Sequence, residues 1–164
     1  MHKVKNHREK DGAAVRIIPP LVPLLTILAG IGLNRLWPLD MASALPAPER
    51  YWIGGILVSA AVLILGAWPV VLFRRSGQSE IPWTPTPSII EHGPYRHTRN
   101  PMYLMMVSVC LGVAVIVASF WILLLTPLCA LILHRFAILA EEQYLERKFG
   151  RDYLEYKSRV RRWL

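Results

Sequence analysis

The chain has 164 residues, of which 54% are hydrophobic and only 18% charged, with a formal net charge of +8. That apolar content exceeds what one soluble core of this size needs, so an ordinary soluble domain is excluded and an integral membrane protein is expected. The basic residues sit beside apolar runs rather than in one separate patch, which argues against nucleic acid as their partner.

Lys3, Lys5, Arg8, Lys10 and Arg16 precede a first apolar run, 17–37. A bilayer core of about 30 Å takes about 20 apolar residues, so this run is long enough to cross it. No convincing small-residue cleavage site follows this span-length run, which reads as a retained helix rather than a secretory signal. A second run covers 51–73, and between the two only Arg50 is clearly extramembranous. A third, 102–139, is too long for one span, and a tight turn near Ser119 would fold it into an antiparallel hairpin. The sequence therefore predicts an all-α, polytopic membrane protein with about four transmembrane helices, the last two forming a C-terminal hairpin, followed by amphipathic helices. Arg74, Arg75, Arg96 and Arg99 lie between the second and third spans, and eight basic residues follow from Arg135 onward. By the positive-inside rule both termini and the loop before the third span are expected on the cytoplasmic side of a multi-pass protein.

Pro82, Pro85 and Pro87 forbid a regular helix before the third span, so that segment is expected to be a stiff, extended loop. It leads to Asn100 and Pro101, a favoured N-cap followed by a favoured first helical residue, and the free N–H groups there suit an anion or polar ligand. Cys110 and Cys129 fall inside spans and read as small packing residues. Glu141 and Glu142 end the fourth span. Adjacent carboxylates on a helix point in different directions, so one is expected to face the loop as a ligand group and the other to be solvated or paired with a basic side chain. Gly150 is a natural helix stop, and the amphipathic piece after it suits an interfacial anchor, as do Trp52, Trp68 and Trp121. No paired Cys or His spacing supports a metal site, and the glycine-rich strand–turn–helix of soluble nucleotide-binding folds is absent.

The order Gly93-Pro94-Tyr95, Arg99-Asn100-Pro101-Met102-Tyr103, a helical hairpin, Glu141-Glu142, Leu145, Phe149-Gly150, Tyr153, Tyr156 and Arg159-Val160 resembles the isoprenylcysteine carboxyl methyltransferase family and its phospholipid N-methyltransferase relatives. The resemblance implies one membrane domain, 1–164, with a methyltransferase-like core over 81–160. Within it lie a cofactor loop, 81–100, the hairpin, 101–139, and interfacial helices, 140–163. It further implies S-adenosyl-L-methionine as cofactor, contacted by Pro87, Ser88, Ile89, Ile90, Tyr95, Asn100, Pro101, Met102, Tyr103 and Glu141. His92 and Glu142 complete the expected cofactor set, and Arg99 and Glu141 are the candidate catalytic residues.

Three positions depart from the family pattern: Asn100 stands where the family has His, Met105 where it has Gly, and Ala137 where the isoprenylcysteine enzymes carry a substrate-binding Arg. Arg135, the nearest basic residue, faces elsewhere on a regular helix. The acceptor therefore stays open among an isoprenylcysteine carboxylate, a phospholipid amine and another small lipophilic molecule, with membrane lipid as the surrounding partner and oligomeric state unassigned. A sterol-reductase-like enzyme using NADPH and a non-enzymatic adaptor on the same scaffold are the alternatives. Methyl transfer from a sulfonium to a carboxylate merges and disperses opposite charges, so a desolvated pocket favours it. Alignment is then the main demand on the protein.

Overall fold

A computed structural model describes residues 12–39, 41–77, 79, 81, 84 and 86–164. Pro82 and Pro85 of the proline-rich loop, and Lys3, Lys5, Arg8 and Lys10 before the first apolar run, lie outside the described residues. Among the described residues the chain forms five helices: α1 (Leu21–Leu36), α2 (Glu49–Arg75), α3 (Pro101–Ile116), α4 (Phe120–Phe149) and α5 (Arg151–Arg159). A short 3₁₀ turn, Gly93–Arg96, precedes α3.

Helices α2 and α4 have 27 and 30 residues and are apolar enough to cross a bilayer, whereas α1 and α3 are apolar but only 16 residues long. Leu24, Leu25 and Leu28 of α1, Ile53, Ile56 and Leu63 of α2, and Leu124, Leu128 and Leu131 of α4 all point outward and are exposed. Rows of large aliphatic side chains turned away from the bundle invert the pattern of a water-soluble protein, and lipid is the solvent that tolerates them. The fold is that of an all-α membrane protein.

Inside the bundle, α3 is packed by α1, α2 and α4, and α1 leans chiefly on α4. Lipid supplies no hydrophobic force between helices, so close backbone approach has to hold them together. Gly54 and Gly112 provide it: a Cβ on Gly54 would lie 2.6 Å from the Gly112 carbonyl oxygen, and one on Gly112 would lie 2.5 Å from Val58 Cγ2. Cys110, Ala114, Ile122, Cys129 and Leu133 fill the seam between α3 and α4, with both thiols buried and free.

The hairpin turns at residues 117–119. Ala118 adopts φ 51°, the Ser119 amide donates to Ala114 O at 2.9 Å, and the buried Ser119 hydroxyl accepts from the Ile122 amide at 3.4 Å, capping α4. Ser119→Ala is expected to lower stability by about 1 kcal/mol. Thermal denaturation in detergent measures it, and an unchanged midpoint would show that the cap contributes nothing.

Two π-helical turns, Ala61–Ala67 in α2 and His134–Ile138 in α4, interrupt the regular helical phase. The second lies just before Glu141 and rotates the end of α4 away from the direction a regular helix would give it. Ala137 is wholly buried there and Arg135 is exposed.

Candidate functional site

The start of α1, the end of α2, the start of α3 and the end of α4 meet at one end of the bundle. Gly150, at φ 52°, lets the chain reverse from α4 into α5. Val160 then leaves the helix in an extended conformation, and residues 160–163 run beside the segment that precedes α3. Thr98 pairs with Arg161 in a parallel bridge, and the Arg99 amide donates to Arg161 O at 2.9 Å. Thr98 Oγ1 and Asn100 Nδ2 both donate to Arg162 O at 3.1 Å.

Asn100 was expected to cap α3 with its side chain. The structure corrects this: the helix does begin at Pro101, but the Asn100 side chain is turned to Arg162 O and makes no cap. Pro101 has no N–H to satisfy, which lowers the need for one. Around the same point the Tyr156 hydroxyl donates to Tyr95 O at 2.8 Å, and Phe73 meets the Tyr95 ring edge-on at 6.0 Å between centroids.

A cavity of about 360 Å³ lies among these segments. Ser88, Ile89, Ile90 and Tyr95 line it from the loop, and Arg99, Asn100, Pro101, Met102 and Tyr103 from the approach to α3 and its first turn. Glu141, Glu142, Tyr144 and Leu145 face it from α4, and Tyr153 and Tyr156 from α5. Of the residues proposed from the sequence, Pro87 and His92 lie off this lining and are exposed, Pro87 bordering a shallow outer groove with Phe149 and Asp152.

The two adjacent glutamates are held differently. Tyr103 donates its hydroxyl to Glu141 Oε1, and among the described residues no cation pairs with Glu141. Glu142 is buried and gripped by a bidentate Arg162, with Nε to Oε1 at 2.8 Å and Nη2 to Oε2 at 2.7 Å, while Arg99 Nη2 stands 3.4 Å from Oε1. Both carboxylates line the cavity, and Glu142 is the one paired with basic side chains, because α5 and the segment after it wrap round the end of α4 and bring Arg162 to it. The Arg99 side chain is only 8% exposed, and among the described residues its Nε and Nη1 have no partner.

Burial first, then the nearby Glu141 carboxylate, pushes the Tyr95 phenol above its ordinary range. Burial likewise raises Tyr153 and Tyr156. The three phenols therefore stay protonated at neutral pH and act as uncharged walls and hydrogen-bond donors. The bond to Glu142 in turn raises Arg162 further above its already high value.

Sequence reasoning missed Arg162, Thr98 and Tyr144, whose hydroxyl accepts from the Thr86 amide at 3.2 Å, and also Ala13, Ile18, Pro19 and Pro20, which close one side of the cavity before α1. Arg162 is one of eight basic residues in the last thirty positions, and nothing in its neighbours singles it out.

The class so defined is an all-helical membrane protein with an aromatic-walled cavity at one end of its bundle and, among the described residues, one carboxylate inside it that no cation pairs. The chain belongs to the phospholipid methyltransferase family, whose profile matches residues 51–152. Over 34 residues it is 56% identical to an uncharacterized protein of Haemophilus influenzae, a segment that is 21% of this chain and 54% of that protein, so the match spans about half of that relative's length. No solved structure matches the chain. Tyr153, Tyr156, Arg162 and the segment before α1 all lie outside the family match.

Proposed function

We propose that the protein transfers a methyl group from S-adenosyl-L-methionine to a lipophilic acceptor at the cytoplasmic side of the membrane. The observation that carries this reading is the meeting of Tyr103 and Glu141, thirty-eight positions apart, in one cavity beside the exposed apolar faces of the bundle. A volume of about 360 Å³ lies within the roughly 300–1,000 Å³ usual for small-ligand sites.

The donor set suits the cofactor. Glu141, which no cation pairs among the described residues, would hold the ribose hydroxyls or the ammonium group, and Tyr95 and Tyr103 would wall the adenosine. The amides of Met102 and Tyr103 open α3 and point at the cavity end, and together with the bare donors of Arg99 they suit a carboxylate, whether the cofactor's own or that of an acidic acceptor. When bound, the cofactor supplies an electrophilic methyl group on a sulfonium. The chain's own residues exclude water, align the acceptor and disperse charge, and no strong general base is needed. The basic residues flanking the apolar runs support a cytoplasmic position for this end of the bundle in a multi-pass protein.

Titration calorimetry on detergent-purified protein tests the reading. S-adenosylmethionine is expected to bind and NADPH not to, and membranes incubated with methyl-labelled cofactor are expected to carry label in the organic-extractable fraction. Failure of the cofactor to bind would overturn it.

A further inference from the structure

We propose that Arg162 is a positioning residue for the cavity: by holding Glu142 and the 98–100 segment together, it leaves Glu141 as the carboxylate presented to bound ligand. The inference rests on the reading of the cavity as a cofactor site. It concerns a residue that lies beyond the family match.

Arg162 acts through two separate parts. Its guanidinium forks both oxygens of Glu142, at 2.8 and 2.7 Å. Its carbonyl accepts from Thr98 Oγ1 and Asn100 Nδ2, both at 3.1 Å, on the segment that leads directly into Tyr103. Trp163 follows and packs against the core of the bundle, so the segment that carries Arg162 is anchored on its far side. One residue thereby ties the acidic end of α4 to the approach of α3, the two edges between which Tyr103 and Glu141 meet.

The charge arithmetic explains why the fork matters. Two neighbouring carboxylates in a sheltered site repel, and the pair is tolerated when one is paired with a cation or protonated. Arg162 compensates Glu142 with the bidentate geometry that only a guanidinium offers, and Arg99 at 3.4 Å contributes a looser contact. Without Arg162, Arg99 would be drawn fully onto the buried Glu142 and away from the cavity, and residues 160–163 would lose the ion pair that holds them beside the 98–100 segment.

Calorimetric titration of S-adenosylmethionine into the full chain in detergent tests this, with Arg162→Ala, Arg162→Lys and the double variant Arg162→Ala/Glu142→Gln beside the parent. Arg162→Ala is expected to raise Kd about tenfold or more, as Glu142, without its forked partner, draws Arg99 out of the cavity. Arg162→Lys is expected to raise it at least about threefold, since an ammonium cannot fork a carboxylate. The double variant is expected to bind more tightly than Arg162→Ala, because no charge at position 142 then draws Arg99 away from the cavity. A residue that merely stabilised the fold would lower the thermal midpoint yet leave Kd of the folded protein within about twofold of the parent, a change well under the tenfold step. That result overturns the proposal. Should Arg162→Ala not fold, Arg162→Lys carries the same reading, and an unchanged Kd for it overturns the proposal too. If the parent itself binds no cofactor, the reading of the cavity fails and this proposal falls with it.

Discussion

Replacing Glu141 by alanine is expected to weaken S-adenosylmethionine binding by about 100-fold and to abolish measurable methyl transfer. A hydrogen bond to a charged group contributes about 1.5–3 kcal/mol, and each 1.4 kcal/mol is tenfold in affinity, so losing one such bond together with the cavity's uncompensated charge reaches that range. Glu141→Gln separates the two contributions: the amide still accepts from the Tyr103 hydroxyl but carries no charge, and it is expected to fall between alanine and the parent. Removing Glu141 also strands that hydroxyl, at a stability cost of about 1–3 kcal/mol. Glu141→Ala is therefore best compared with Glu141→Ala/Tyr103→Phe, in which nothing is stranded and the loss of binding is read alone. His92→Ala, exposed and off the cavity lining, is expected to bind like the parent. A Glu141→Ala variant that binds within about threefold of the parent, less than half a decade on the affinity scale, would mean that the ligand sits elsewhere.

The parts of this molecule that were legible in the sequence are those set by local pattern. Runs of aliphatic residues announce the helices, Pro101 opens α3, Ser119 turns the hairpin and Gly150 ends α4, because each of these depends on the residue itself and its immediate neighbours. The placement of Tyr103 against Glu141 came from an ordered set of motifs and not from periodicity. What stayed hidden depends on distant partners. Nothing near Asn100 indicates that its amide will seek a carbonyl sixty-two positions away rather than cap its own helix. Nothing near Arg162 distinguishes it from the other basic residues that follow α4. The π-helical turn at His134–Ile138 defeats a regular-helix projection just where the facing of Glu141 and Glu142 is decided, since the inserted residue turns everything beyond it.

The same contrast between local pattern and packing bears on Gly54 and Gly55, which a sequence cannot tell apart. Both lie in α2 and both would be expected to weaken a helix, yet only Gly54 faces α3. A Cβ there would meet the Gly112 carbonyl oxygen at 2.6 Å and Ile116 Cγ1 at 2.6 Å, whereas a Cβ on Gly55 meets nothing within 4 Å. The backbone oxygen cannot swing aside as a flexible side chain can, so Gly54→Ala forces α2 and α3 apart. It is expected to destabilise by about 1–3 kcal/mol, the range for overfilling a close-packed seam. Gly55→Ala loses nothing and gains helix propensity, so it is expected to be neutral or stabilising by up to about 1 kcal/mol. Thermal midpoints of the two variants in the same detergent should therefore move in opposite directions. Because α2 carries Phe73 at the cavity wall and α3 carries Tyr103 in its first turn, Gly54→Ala should also weaken cofactor binding, while Gly55→Ala should not. Equal midpoints for the two would mean that the helices do not approach through Gly54, and the cavity, whose walls hang on that approach, would have a different shape.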